Sequence, residues 1–154
     1  VQERILEEVY FACDRLGVVL EGTLLKPSMT VSGAECSTQL GPKEVAQRTI
    51  NVMLKSVPPE VAGIVFLSGG LSEEAASVYL NEMNQFETPW TVSFSYGRAL
   101  QHSCLKAWGG TNLEGGQAAV LARAQANSEA SKGQYVTGSQ PSSDEALFVA
   151  GYTY

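Results

Sequence analysis

Apolar residues recur at intervals of three and four along residues 1–16. Ile5, Leu6, Val9, Cys13 and Leu16 make the stripe, and charges fall between them. That spacing predicts a helix with one buried face. Gly17 is placed to stop it, because glycine enters left-handed backbone without steric cost. Residues 18–25 read Val-Val-Leu-Glu-Gly-Thr-Leu-Leu and are nearly continuous in apolar side chains. They predict a strand covered on both faces, closed by Lys26-Pro27. Residues 27–40 are small and polar and read as a loop. Gly41-Pro42 opens a second helix, with Val45, Thr49, Val52 and Met53 on its buried face.

The alternation continues. Residues 62–67 predict a second apolar strand that ends in Ser68-Gly69-Gly70. Ser72 is a candidate N-cap for a helix over residues 73–83, with Glu73 and Glu74 as solvated positions that complement its dipole. Residues 90–95 predict a third strand, followed by Gly97-Arg98 and helical patterns over residues 99–108 and 113–130. The end of the chain is rich in Gly, Ser, Gln and Pro, with a short apolar patch at Leu147-Phe148-Val149. Strands separated by helices imply parallel strands with right-handed crossovers. Three strands do not close a barrel, and a (β/α)8 barrel takes about 250 residues. The simplest reading is a portion of a larger barrel: residues 1–131 belong to the barrel and residues 132–154 form a mobile tail.

Composition narrows the class. A hydrophobic fraction of 44% with 17% charged residues suits a globular domain rather than a disordered chain. No run of about 18 apolar residues occurs, so no membrane helix is expected. Residues 1–17 lack a basic start followed by an apolar core, and no signal or transit peptide is expected within them. The net charge of -6 leaves no basic cluster to displace phosphate counterions, which argues against nucleic-acid binding. Cys13, Cys36 and Cys104 are widely spaced and are expected as free thiols in a reducing compartment. With His102 as the sole histidine, no metal site is expected. His102 is expected on a helix surface, and Trp90 and Trp108 in the core.

Candidate chemistry gathers where the predicted strands end, because reactive groups of parallel barrels sit there. Lys26 follows the first strand. An amine at the mouth of an apolar barrel is partly desolvated, which favours the neutral form that attacks a carbonyl and forms an imine. Ser68-Gly69-Gly70 offers unobstructed backbone N–H groups ahead of a helix N-terminus, a setting that favours anions. Ser95-Tyr96-Gly97-Arg98 adds an open backbone position and a fixed positive charge. Taken singly, each has a plainer reading: a solvated lysine, a tight turn, a surface arginine. Together, the two glycine loops match the barrel habit of holding phosphate after the seventh and eighth strands.

These residues also carry a family resemblance. Leu20-Glu21-Gly22-Thr23-Leu24-Leu25-Lys26-Pro27-Ser28-Met29 resembles the Schiff-base motif of class I fructose-bisphosphate aldolases. Phe66-Leu67-Ser68-Gly69-Gly70-Leu71-Ser72-Glu73-Glu74 and Phe94-Ser95-Tyr96-Gly97-Arg98-Ala99-Leu100-Gln101 resemble the family's two phosphate loops. Leu105-Lys106-Ala107-Trp108-Gly109-Gly110 and the terminal Tyr154 match as well. The fold this implies is α/β: strands 6–8 of a (β/α)8 TIM barrel with flanking helices, plus a C-terminal tail. The activity implied is reversible cleavage of fructose 1,6-bisphosphate to dihydroxyacetone phosphate and glyceraldehyde 3-phosphate, with no metal or other cofactor.

The resemblance makes Lys26 the imine-forming residue. Ser68, Gly69, Gly97 and Arg98 would hold the phosphate, with Ser95 nearby. Tyr154 would reach back on the tail to assist proton transfer. A homotetramer acting on sugar phosphates, without nucleic-acid or membrane partners, is implied too. Where the family usually reads Val-Thr-Pro-Gly after the methionine, this chain has Thr30-Val31-Ser32-Gly33. The acidic residues and further lysines that the family draws from earlier strands have no counterpart here. Glu21 is expected as a buried carboxylate paired with a base from such a strand. Gly33-Ala34-Glu35-Cys36 and Gly151-Tyr152-Thr153-Tyr154 resemble plastid-type members, pointing to the plastid stroma, with the cytoplasm as alternative. The rival expectation is a non-catalytic partial barrel that keeps its phosphate loops without turnover.

Overall fold

Helix α1 spans Gln2–Arg15 in the computed structural model, which describes residues 1–151. It ends as its sequence predicts. Gly17 takes φ +67, the Val18 N–H donates to the Cys13 carbonyl, and the Gly17 N–H donates to Asp14. These are the paired bonds of a glycine-capped helix end.

The next segment departs from expectation. Only Leu24–Leu25 forms strand β1, while Leu20–Gly22 is a single turn of 3-10 helix. The apolar run suggested a strand covered on both faces, but Val19 and Leu24 are 70% and 64% exposed. Burial of this segment needs a neighbour on the far side of β1, and no described residue lies there to pair with it. Glu21 is exposed rather than buried for the same reason.

Helix α2, Pro42–Ser56, starts with proline at its first position, and the Glu44 carboxylate accepts the Gly41 N–H. Val45, Thr49 and Met53 are buried as expected, joined by Ala46 and Ile50, with Val52 only half-buried. Strand β2 is Gly63–Phe66, α3 is Glu73–Met83 and β3 is Thr91–Phe94. Helices α4, Arg98–Trp108, and α5, Leu113–Ala130, complete the order. The Ser72 hydroxyl oxygen accepts the Ala75 N–H and so caps α3 as predicted.

The three strands form one sheet in the order β1-β2-β3, and both pairings are parallel. Ile64 and Phe66 project into a core closed by Ile50 and Met53 of α2 and Leu80 and Met83 of α3, all fully buried. Each of these side chains contributes roughly 1.5–3 kcal/mol by leaving water. Trp90 is in the core, with its indole N–H donated to the Pro58 carbonyl, but Trp108 is 43% exposed. No helix among the described residues is long and apolar enough to cross a membrane.

Candidate active site at the strand ends

Parallel pairing carries all three strand ends to one edge of the sheet. The Leu67 N–H donates to the Pro27 carbonyl, and the Ser95 N–H donates to the Phe66 carbonyl. Lys26-Pro27, Leu67-Ser68 and Ser95 are thereby held side by side in the register of the sheet. Pro27 and Met29 are buried and anchor the loop after β1, whereas Lys26 itself is exposed. The sheet register fixes the backbone at Lys26; the described residues do not supply the apolar surroundings expected around its amine.

After β2 the backbone turns sharply. The Leu71 N–H closes on the Ser68 carbonyl at 2.9 Å, with Gly69 at φ +51 and Gly70 at φ +88. Both glycines sit where other residues are strained. The N–H groups of Gly69 and Gly70 find no partner among the described residues. Ser68 is buried beside a small cavity of about 190 Å³, walled by Ser28, Met29 and Val31 from one loop and by Leu67, Gly69 and Leu71 from the other.

After β3 the loop is fastened by Tyr96. Its ring is buried against Phe94, at 5.4 Å between centroids, and its hydroxyl donates to the Ala76 carbonyl at 2.9 Å. Burial drives this phenol's pKa far upward, so it remains a neutral donor. That anchor lets Gly97 stand exposed at the start of α4, with Arg98 as the first helical residue.

Arg98 does not line the cavity beside Ser68. It faces a second cavity, about 390 Å³, formed with Gln101, His102 and Leu105 of α4 and residues 145–149. Its Nη1 donates to the Leu147 carbonyl at 2.6 Å, and the Leu147 N–H donates to the Gly70 carbonyl at 2.9 Å. The chain at Phe148 passes so close that a Cβ added to Gly70 would lie 3.0 Å from its Cα. The apolar patch of the tail thus lies across both phosphate-loop candidates.

Residues 132–151 contain no helix or strand, yet side chains of α3 and α5 hold them. Glu73 and Glu74 were expected to be solvated, and that expectation fails. Glu73 is fully buried and accepts from the Ser103 N–H and hydroxyl and from the Ser143 N–H. Glu74 accepts from Tyr135, from the Gly138 N–H at 2.9 Å and from the Ser142 hydroxyl at 2.8 Å. Arg123, fully buried, stands 3.8 Å from Glu74 and donates to the Glu73 carbonyl, the Ser77 hydroxyl and the Pro141 carbonyl. Sequence reasoning missed this node. The available signal was a lone arginine in the small-residue helix α5. Residues 135–147 thus form a strap over α3, and His102, partly buried, lies 3.4 Å from Glu145 within it. Tyr154 lies outside the described residues.

Burial by itself would raise the Glu74 carboxyl's pKa. Donation from Ser142, Gly138 and Tyr135, with the charge of Arg123, outweighs burial and holds the carboxyl below its ordinary range. The unfolded chain therefore takes up a proton first as pH falls. The stabilisation is complete above the ordinary glutamate value of about 4.3 and is lost as pH drops through the lower folded value. Thermal melts at a series of pH values across that window are expected to show a falling midpoint. Glu74→Gln is expected to flatten part of the slope; an unchanged slope would remove Glu74 from the account.

Comparison with known proteins adds relatives to this geometry. A family model described as "Glycolytic: Fructose-bisphosphate aldolase class-I" matches residues 1–154. The chain is 49% identical to fructose-bisphosphate aldolase 2, chloroplastic, of Arabidopsis thaliana, covering 100% of this chain and 39% of that protein. It is 50% identical to fructose-bisphosphate aldolase B of Homo sapiens, covering 100% of this chain and 44% of that protein. A solved structure of fructose-bisphosphate aldolase from Plasmodium falciparum superimposes with a TM-score of 0.87 at 44% identity, over 89% of this chain and 40% of that one. The chain spans about two-fifths of the length of these relatives.

Proposed function

Because the chain belongs to the class I fructose-bisphosphate aldolase family and carries part of its TIM barrel, we propose that the complete protein reversibly cleaves fructose 1,6-bisphosphate through an imine on Lys26. The observation that carries this reading is the parallel register. It brings Lys26, the Gly69-Gly70 turn and the Gly97-Arg98 helix start to one edge of a single sheet.

The chemistry follows from those groups. The neutral Lys26 amine adds to the ketose carbonyl and water leaves, giving a protonated imine. A base from outside these residues takes the proton of the hydroxyl two carbons from the imine carbon, and the carbon bearing that hydroxyl becomes the aldehyde. The electron pair of the bond joining it to the carbon next to the imine moves into the imine, so glyceraldehyde 3-phosphate departs and an enamine remains. A proton returned to the enamine carbon, with Tyr154 assisting, and hydrolysis of the imine release dihydroxyacetone phosphate. Ser68 and the N–H groups of Gly69 and Gly97 hold the phosphate, joined by the Arg98 guanidinium when it exchanges the Leu147 carbonyl for the phosphate, and Ser95 lies beside them. Oriented N–H donors and a planar guanidinium both suit a dianion. The acid–base groups and the apolar cover of Lys26 come from outside these residues. A homotetramer is part of the same reading. So is the plastid stroma, supported by Gly33-Ala34-Glu35-Cys36 and by likeness to chloroplastic relatives.

A second reading is favoured by one observation. Lys26 and Leu24 are exposed; in this reading residues 1–154 taken alone are a partial barrel that keeps its phosphate loops without turnover. Borohydride reduction with dihydroxyacetone phosphate separates the two. The complete protein is expected to gain the mass of the reduced adduct on Lys26, and residues 1–154 alone are expected to gain none. Failure to trap Lys26 in an active complete protein would rule out the imine.

A further inference from the structure

Ser142 combines three features that the catalytic reading does not use. It is exposed, in a stretch without helix or strand, so a modifying enzyme can grip the surrounding backbone. It is followed by Ser143-Asp144-Glu145, which puts carboxylates two and three residues beyond it. Its hydroxyl donates to Glu74 Oε2 at 2.8 Å, in the node that fastens the strap to α3.

We propose that Ser142 is a phosphorylation site whose modification releases the strap. The phosphoryl donor is a nucleoside triphosphate. The Ser142 oxygen attacks its terminal phosphorus, the anhydride bond breaks and the diphosphate leaves. The hydroxyl proton passes to a base of the kinase. The acidic residues at Asp144 and Glu145 suit a kinase that recognises carboxylates after the serine.

The product cannot keep the present contact. A hydroxyl that donates becomes a group of about -1.5 to -2 charge that only accepts, placed against a carboxylate. Arg123 offsets the repulsion only in part, because Glu74 already draws on its charge. It is fully buried, turned toward Ser77 and the Glu73 and Pro141 carbonyls, and 3.8 Å from Glu74. Asp144 and Glu145 add like charge alongside. Loss of the Glu74 anchor frees the Gly138 N–H first, and then the Ser143 N–H, which is bonded to Glu73 but lies next to the phosphate. Leu147, which bridges Gly70 and Arg98, follows. The strap release stands without the aldolase reading; only its consequence for phosphate binding at Gly69 and Arg98, which Leu147 ties through Gly70, rests on that reading.

The test uses the complete protein, magnesium and ATP, and a purified acidophilic serine kinase, with mass spectrometry and amide hydrogen exchange as readouts. Phosphate is expected on Ser142, with exchange at Gly138, Ser143 and Leu147 faster by about tenfold or more. Ser142→Ala, which loses one neutral donor and gains no charge, is expected to stay within about threefold of the unmodified protein. The proposal is overturned if a peptide of residues 138–149 is modified but the folded protein is not. It is overturned equally if phosphate leaves exchange unchanged or slower, or if Ser142→Ala loosens the strap as much. Neither readout depends on turnover, so failure here leaves the cleavage reading intact.

Discussion

Changing Lys26 to methionine in the complete protein is expected to lower cleavage of fructose 1,6-bisphosphate by on the order of 10⁴-fold or more. Methionine keeps an unbranched side chain one atom shorter and removes the amine nucleophile. Lys26→Arg is expected to fail as badly, because guanidinium stays protonated and cannot add to a carbonyl. The pair of variants separates covalent chemistry from simple charge. If Lys26 acted by attracting phosphate, arginine would serve, and the loss would appear in KM. If it forms the imine, both variants lose kcat and neither retains the borohydride adduct. Binding of a phosphate ester is expected to survive in both, since the Gly69-Gly70 turn and Arg98 are fixed by their own strands and by Tyr96. Either variant retaining a tenth of the activity would exclude the mechanism.

Changing Arg123 to methionine is expected to cost about 3–5 kcal/mol of stability, the range for breaking a buried charged contact from one side. The guanidinium is enclosed, and its loss strands several groups at once. The Glu73 carbonyl and Ser77 lose a donor, and Glu74 loses its counter-charge. Asn127, which bonds Ser77 and the Arg123 carbonyl, is fully buried in the same node. Urea unfolding of the complete protein measures the cost. Adding Glu74→Gln to Arg123→Met is expected to recover part of it, because the second change removes the unpaired charge. A single-variant cost below about 1 kcal/mol would mean that the arginine serves shape rather than charge.

Most of the fold was legible because local signals and tertiary demands agree. Helix ends at Gly17, Gly41-Pro42 and Ser72 follow from backbone chemistry that needs no partner, and they stand as read. The strands after Pro59 and Pro89 were found from short apolar runs. The reading failed where the neighbour that decides the outcome is remote. Residues 18–25 look like a buried strand, yet burial there depends on chain beyond β1, and only Leu24–Leu25 pairs. Trp108 reads as core by composition and stands exposed for want of a covering element.

The site shows the same division. The placement of Lys26 and the two glycine loops at one edge of the sheet was legible because each lies within a few residues of a strand end. The Glu73–Glu74–Arg123 node was not, because its members lie some fifty residues apart and meet only after α5 packs on α3. Two adjacent glutamates at a helix start carry a ready dipole explanation, and that explanation hid their second role.

The anchoring of the strap has a consequence for the order in which the molecule assembles. Its bonds to Glu73, Glu74 and Arg98 close loops of 70, 64 and 49 residues. Ring closures of that size offer no reward until both rims already exist. The helices therefore settle first, and residues 135–147 are laid over a finished surface like a seal. A seal applied last is the first to lift. Amide exchange of the native protein is expected to find residues 135–147 opening before the strands β2 and β3.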